Sequence, residues 1–320
     1  MDIKKVLLLG GSGFVGTYIA NRLSQRGIEV TVPTRRRERN KALIIQPGVE
    51  MPEADIHCEK TLTELMHGHD AVINLVGTLH SRDVVLPYSR DFAEAHVELP
   101  KKIVAACKAT GVRRLVHMSA LNADPKGPSE YLRSKGDGEA IVLAAKGDLD
   151  VTVFRPSVIF GLGDSFLSML ANVLKKMPFF PLGFGHARFQ PVWVADVADA
   201  FVDCLSDVAT YGQAYELAGP KIYTLRELVD YAKELTGSDA TVVPLSEGWA
   251  YLQAGLMWLA PQPMLSPDNL RSMEKDSVCQ GPANVPANWR PTALESIAPT
   301  YIALNTPKGK LDSFRYRAGR

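Results

Sequence analysis

The stretch Lys4-Lys5-Val6-Leu7-Leu8-Leu9-Gly10-Gly11-Ser12-Gly13-Phe14-Val15-Gly16 runs an apolar segment straight into three glycines at G-x-x-G-x-x-G spacing, Gly10, Gly13 and Gly16. The apolar run is continuous rather than alternating, which suits a parallel strand buried on both faces. Residues 13–26 then carry a helical pattern. A glycine turn between strand and helix lets the backbone approach a pyrophosphate and lets the helix pack closely on the strand. The helix N-terminus offers free N–H groups and a partial positive charge to the phosphates. A bare glycine triplet is a weak signal, but here strand, turn and helix stand in the required order. Gly10, Ser12, Gly13, Phe14, Val15 and Gly16 are therefore the candidate phosphate contacts. A side chain at Gly13 is expected to fill the pyrophosphate's space and to resist the backbone angles of the turn.

Working outward, further strand-like runs lie at residues 29–32, 71–76, 115–118 and 151–154. Helical stretches alternate with them, the clearest at residues 91–110, closed by Gly111. Repeated βα units of this kind indicate an α/β protein with a Rossmann-type doubly wound parallel sheet. After Arg155 proline and glycine become frequent and segments shorten. One clean helix follows at residues 224–235, with Thr224 and Glu227 spaced as a capping box and Gly237 past its end. The organisation read from this pattern is a nucleotide-binding domain at 1–155 and a smaller C-terminal α/β lobe at 156–302, some segments of which return to the first domain. A basic tail follows at 303–320, with Lys308, Lys310, Arg315, Arg317 and Arg320 against one acid.

The end of the second strand reads Val30-Thr31-Val32-Pro33-Thr34-Arg35-Arg36-Arg37. A carboxylate about 20 residues beyond the glycine turn would bind the ribose hydroxyls of NAD. None is present, and Arg35 and Arg36 stand where a 2′-phosphate would sit, so NADP(H) is preferred over NAD(H).

Five further motifs follow in register. Asp55-Ile56 lies fifteen residues before Asp70, Asn74-Leu75-Val76-Gly77 ends the fourth strand, and Tyr131-Leu132-Arg133-Ser134-Lys135 is a Y-x-x-x-K pair. Phe154-Arg155-Pro156-Ser157-Val158-Ile159-Phe160-Gly161 fits an R-P-x-x-x-x-G turn, and Pro191-Val192-Trp193-Val194-Ala195-Asp196-Val197-Ala198 a hydrophobic-D-V-A segment. With these the chain resembles the short-chain dehydrogenase/reductases of the extended and atypical branches. His117-Met118-Ser119-Ala120-Leu121-Asn122-Ala123 and Gly163-Asp164-Ser165-Phe166-Leu167 resemble one group among them, the NADPH-binding accessory subunit of respiratory complex I and its bacterial relatives. The resemblance places Asp55 and Ile56 against the adenine, Val76, Gly77 and Pro156 beside the cofactor, and Lys135 on the nicotinamide ribose. It implies a nucleotide-bearing subunit of a membrane-associated complex.

Tyr131 and Lys135 lie one helical turn apart on one face. A free phenol has a pKa near 10, so a neighbouring ammonium is needed to favour the phenolate near neutrality. The family's third member is a hydroxyl just after the fifth strand. Ser119 is the only one available, followed by Ala120 and Leu121, with Asn122 as a substitute donor. The helix that often adds an asparagine to the proton relay has His96 there, a packing or solvent-facing residue on the simpler reading. This partial set fits weak or lost catalysis in a subunit, or a reductase of a small apolar carbonyl or alcohol. A nucleotide-sugar epimerase or dehydratase fits less well, since that chemistry needs a fuller set and tightly held NAD.

Bulk properties narrow the rest. The 320 residues are 46% hydrophobic and 22% charged with a net charge of +1, which gives no reason to expect a nucleic-acid partner. Cys58, Cys107, Cys204 and Cys279 form no CxxC pair, arguing against a zinc site and for a reducing compartment. With the first strand so close to Met1, no targeting peptide is expected, and the expected address is cytoplasmic. The most apolar segment of the second half, residues 249–260 with two tryptophans and a tyrosine, is too short to span a bilayer. It is either a helix buried on its own lobe or an interfacial, partner-binding helix that places the protein peripherally at the inner face of a membrane.

Overall fold

In the computed structural model the described residues are 3–81, 86–260, 264–281 and 285–303. The chain divides into two units. The first takes Met1–Pro156, Ala195–Leu217 and Gly281–Asn288; the second takes Ser157–Val194, Ala218–Gln280 and Trp289–Arg320.

The first unit is built on β1 (Lys5–Leu9), β2 (Glu29–Thr31), β3 (Val49–Glu50), β4 (Ala71–Asn74), β5 (Arg114–Met118) and β6 (Asp150–Pro156), joined by the late strand Gln213–Leu217. Spatial order is Gln213–Leu217, β6, β5, β4, β1, β2, β3, and every pairing is parallel. This is the expected doubly wound sheet. Order reverses between β1 and β4, and at such a switch point a crevice opens beyond the strand ends. Leu7 and Leu9 of β1 join Val72, Leu115, Val151 and Val153 in one core cluster with the helices Glu59–Met66 and Leu99–Thr110. Val6 and Leu8 alternate to the opposite side and are equally buried, so the strand is apolar throughout.

Three details differ from the sequence expectations. β4 ends at Asn74 rather than at 76, because the Asn74 side chain accepts the Val76 N–H at 3.1 Å and turns the chain. The helix expected at 91–110 contains a π-turn at Glu94–Glu98 between Arg90–Ala93 and Leu99–Thr110; Gly111 closes it at φ 78°. The short strands Val49–Glu50 and Gln213–Leu217 were not foreseen.

The second unit wraps the helices Leu167–Lys176, Leu225–Thr236 and Leu294–Ile302 around small paired strands. Phe179–Leu182 pairs parallel with Thr241–Pro244, and Tyr223–Thr224 antiparallel with Arg188–Phe189. The Thr224–Glu227 capping box and the left-handed Gly237 are both present. The basic tail from residue 304 lies outside the described residues.

Candidate functional site

At the switch point the three glycines are required for three different reasons. Gly10 has φ 79°, the left-handed region, and a Cβ there would lie 3.1 Å from the Leu75 carbonyl carbon and the Val76 nitrogen. Gly16 is jammed against its own turn, since a Cβ would come within 2.5 Å of Gly10 O and Gly11 Cα. Gly13 is different. Its φ of −81° suits any residue, and a Cβ would meet only Gly10 O, at 3.3 Å. The expectation that backbone angles demand glycine at Gly13 is therefore corrected; what remains is the open space in front of it. The turn is closed by Gly11 N–H to Leu8 O and Gly13 N–H to Gly10 O. The helix Phe14–Gln25 starts there with no side-chain cap, leaving its first-turn N–H groups available to an anion. Ser12 and Phe14 are half-buried at the rim; Val15 is buried beneath.

On the far side of β1, a bridge between Thr34 and Glu53 extends the β2–β3 edge of the sheet. Arg35 and Arg36 follow Thr34 directly, and Asp55 and Ile56 follow Glu53 by two and three residues. Both arginines are exposed, and neither makes an ion pair or a side-chain hydrogen bond among the described residues. Asp55 accepts the His57 N–H at 3.0 Å, while half-buried Ile56 rests on the core cluster.

The dyad helix Glu130–Ala144 packs against β6 and reaches the end of β5 through Lys135. Lys135 is 4% exposed and its Nζ donates to the Met118 carbonyl at 2.7 Å. A Cβ on Gly77 would lie 3.9 Å from that Nζ, so the ammonium stands beside the loop after β4. Burial pulls Lys135 down to about 8, opposed by the Glu139 carboxylate one turn along the helix. Burial also pushes the Tyr131 phenol up to about 12. The sequence reading had Lys135 favouring the phenolate; in this arrangement desolvation wins and the phenol is neutral. Ser119 is 3% exposed, its Oγ buried and without a partner among the described residues, and Ala120 and Leu121, which follow it, are buried and apolar. Pro156 ends β6 beside them, its carbonyl accepting the Leu121 N–H at 3.0 Å.

His96, read from sequence as a packing or solvent-facing residue, is buried and also has a polar role. Ser134 Oγ donates to Tyr131 O at 2.9 Å, so it accepts from His96 Nδ1 at 2.8 Å. The ring is therefore the Nδ1–H tautomer, and Nε2 accepts the Thr78 N–H at 3.0 Å. Burial and the Lys135 charge hold this imidazole well below its usual pKa, keeping it neutral. Its ring also meets Tyr131 edge-on at 5.6 Å. Sequence reasoning also missed Glu139, 5% exposed, which takes the Arg155 guanidinium in a two-oxygen ion pair. Its place four residues after Lys135 was the available signal.

The open face of Gly13, the uncapped helix start and the orphaned Ser119 Oγ fit a phosphate-bearing, ribose-bearing nucleotide running from the Arg35 edge to the Lys135 end.

Comparison with known proteins gives a consistent picture. The model of the NAD dependent epimerase/dehydratase family matches residues 6–218. The chain is 30% identical over 287 residues to the Arabidopsis thaliana protein "NADH dehydrogenase [ubiquinone] 1 alpha subcomplex subunit 9, mitochondrial", covering 85% of this chain and 70% of that one. The Mus musculus protein of the same name is 32% identical over 245 residues, covering 74% of this chain and 63% of its own length. Among solved structures, a nucleoside-diphosphate-sugar epimerase from Staphylococcus aureus superposes with a TM-score of 0.71 at 19% identity, over 91% of this chain and 98% of that one, a likeness of fold.

Proposed function

The chain belongs to the NAD dependent epimerase/dehydratase family, and from that premise we propose that it is a nucleotide-bearing subunit holding NADP(H) in a site whose catalysis is weakened or lost. One observation carries this reading: the two residues after Ser119, where the resemblance leads one to expect a substrate-binding hydroxyl, are the buried apolar Ala120 and Leu121. When bound, a nicotinamide dinucleotide supplies a hydride donor or acceptor. The chain's own residues bind and orient. Gly10, Gly13 and the first turn of Phe14–Gln25 receive the phosphates, Arg35 and Arg36 a 2′-phosphate, and Lys135 a ribose hydroxyl. Tyr131 stays a neutral phenol, because burial raises its pKa. The relatives' names as NADH dehydrogenase subunits support assembly into a larger complex, and the resemblance to the complex I group supports a peripheral site at a membrane. No helix among the described residues is long and apolar enough to cross one.

Calorimetric titration tests the cofactor choice. NADPH binds more tightly than NADH by about 10- to 150-fold, the worth of one charge-assisted bond to the 2′-phosphate, and Arg36→Ala or Arg35→Ala narrows the gap. Equal affinities sink NADP(H) selectivity. A carbonyl panel stays silent on the subunit reading.

The Ser119 Oγ, without a partner among the described residues, favours a second reading, an NADPH-dependent reductase of a small apolar carbonyl, since such a hydroxyl can bind a substrate oxygen. NADPH-dependent reduction that vanishes in Tyr131→Phe and weakens in Ser119→Ala would establish it in place of the first.

A further inference from the structure

The Lys135 ammonium carries three N–H donors, and among the described residues its hydrogen-bonded acceptor is the neutral Met118 carbonyl. Taking such a charge out of water is unfavourable unless an opposite charge stands near. The titratable groups around it are His96 on the π-turn, His117 on β5, and Tyr131 and Glu139 on its own helix. The first three supply no negative charge. Burial and the Lys135 charge hold both imidazoles well below their ordinary pKa, and burial raises the Tyr131 phenol. Asn74 Oδ1 accepts the Val76 N–H, so its amide donates to His117 Nδ1 at 3.1 Å, and that ring is neutral too. Glu139 is left as the carboxylate acting on the ammonium among the described residues.

Residues four apart share one face of a helix, so Lys135 and Glu139 are neighbours, and both are buried. The helix packs on β6, where Arg155 brings its guanidinium to both Glu139 oxygens, with Nε at 3.0 and 3.1 Å and Nη2 as a third contact. A carboxylate held by a planar fork has a fixed place. Arg155 is in turn the register partner of buried Glu216 on the late strand Gln213–Leu217, whose charge also favours the guanidinium. Lys135, Glu139, Arg155 and Glu216 thus form a run of alternating charges from the dyad to the edge strand.

We infer that Glu139 is a positioning residue of the nucleotide site: gripped by Arg155, its carboxylate keeps buried Lys135 an ammonium, the form that donates hydrogen bonds to a bound nucleotide. The inference rests on the nucleotide reading for its ligand and on the Glu139–Arg155 geometry for its device. An ion pair that merely tied the helix to β6 would depend on shape at position 139, whereas a counter-charge depends on the carboxylate. Two substitutions separate these roles. Glu139→Gln keeps the length and an oxygen for Arg155 but loses the charge. Glu139→Asp keeps the charge and shortens the reach by one methylene.

The first measurement is the urea midpoint of the full chain without nucleotide as pH is varied. Folded Lys135 releases its proton at about 8 against an ordinary 10.5, so stability rises with pH across that window. Glu139→Gln should begin this rise about one pH unit lower, and Glu139→Asp close to the native pH. The second is NADPH affinity by calorimetry. At pH 6.5, where most of the ammonium persists, Glu139→Gln should bind within about twofold of the native protein; at pH 9 it should bind about tenfold more weakly, the change in charged fraction for a shift of about one unit. A chain that binds no NADPH yet shows the displaced stability rise would remove the nucleotide reading and leave the role of Glu139 standing. Three results would overturn that role: a rise unmoved in Glu139→Gln, the same displacement in Glu139→Gln and Glu139→Asp, or an affinity lost equally at both pH values.

Discussion

The Nε2 atom of His96 accepts the Thr78 backbone N–H at 3.0 Å, so a ring on the π-turn holds the loop that carries Val76 and Gly77. Its Nδ1–H is anchored on Ser134, which shares the Glu130–Ala144 helix with Tyr131 and Lys135. One imidazole thus sets the gap between the post-β4 loop and the dyad helix. The two ring nitrogens are separable by substitution. Gln places its amide oxygen near the Nε2 position, whereas Asn reaches only the Nδ1 position. His96→Gln should keep NADPH affinity near the native value, while His96→Asn, leaving the Thr78 N–H unpaired, should lose about tenfold. Equal losses in the two titrations would remove the Thr78 bond from nucleotide binding.

The glycine turn separates folding from binding. Gly16→Ala puts a Cβ into backbone 2.5 Å away and should lower the melting temperature sharply, since neither Gly10 nor Gly11 can yield. Gly13→Val meets only one atom, at 3.3 Å, and should keep most of the melting temperature while losing NADPH binding in calorimetry. If Gly13→Val binds normally, the phosphates lie elsewhere.

Lys135 predicts a pH dependence. Its folded pKa is about 8 against an ordinary 10.5, so between those values the unfolded chain holds a proton that the folded chain has released. Stability should therefore rise with pH across that window and sit at its lower plateau below it. NADPH affinity should move the other way, falling above about pH 8 as the ammonium is lost. Urea midpoints over this window should show the rise in the native protein and a flatter profile in Lys135→Met. A slope that persists in the variant would assign it to another group.

Arg114 is fully buried, yet it donates to the carbonyls of Asp150 at 2.7 Å, Cys204 at 2.6 Å and Leu205 at 3.2 Å and lies 4.6 Å over the Tyr211 ring. Arg114→Ala should destabilise the fold by about 3–5 kcal/mol, as buried carbonyls lose their donors. Arg114→Lys should recover only part, because one ammonium cannot span three acceptors held by a planar fork. Denaturant titration of the two variants checks both statements, and an Arg114→Ala midpoint close to native would refute them.

The parts legible in sequence are those whose cause is local. The β1–glycine turn–helix unit and the Thr224–Glu227 cap are each set by residues within a few positions. The early end of β4 was hidden because a side chain, Asn74, takes a hydrogen bond that the apolar pattern alone assigns to the strand. The π-turn at Glu94–Glu98 leaves the apolar periodicity of 91–110 almost untouched. The His96 contacts join residues 18 and 38 positions apart, which no spacing rule reaches. Gln213–Leu217 reads as a mixed polar segment because it is an edge strand, buried only toward its end.

That strand has a consequence for how the protein is made. A ribosome finishes β6 at Pro156 and then delivers Ser157–Val194, which belongs to the other unit, before the residues that complete the first sheet appear. Until Gln213–Leu217 emerges, the nascent chain has β6 as an open edge, and until Cys204 and Leu205 emerge it also lacks the carbonyls there that Arg114 binds. A bare parallel edge of this kind is a template for pairing with another chain. The nucleotide unit therefore cannot mature in simple order of synthesis, and a fragment cut at residue 156 carries the whole glycine turn and the dyad on a sheet that is unfinished and prone to self-association.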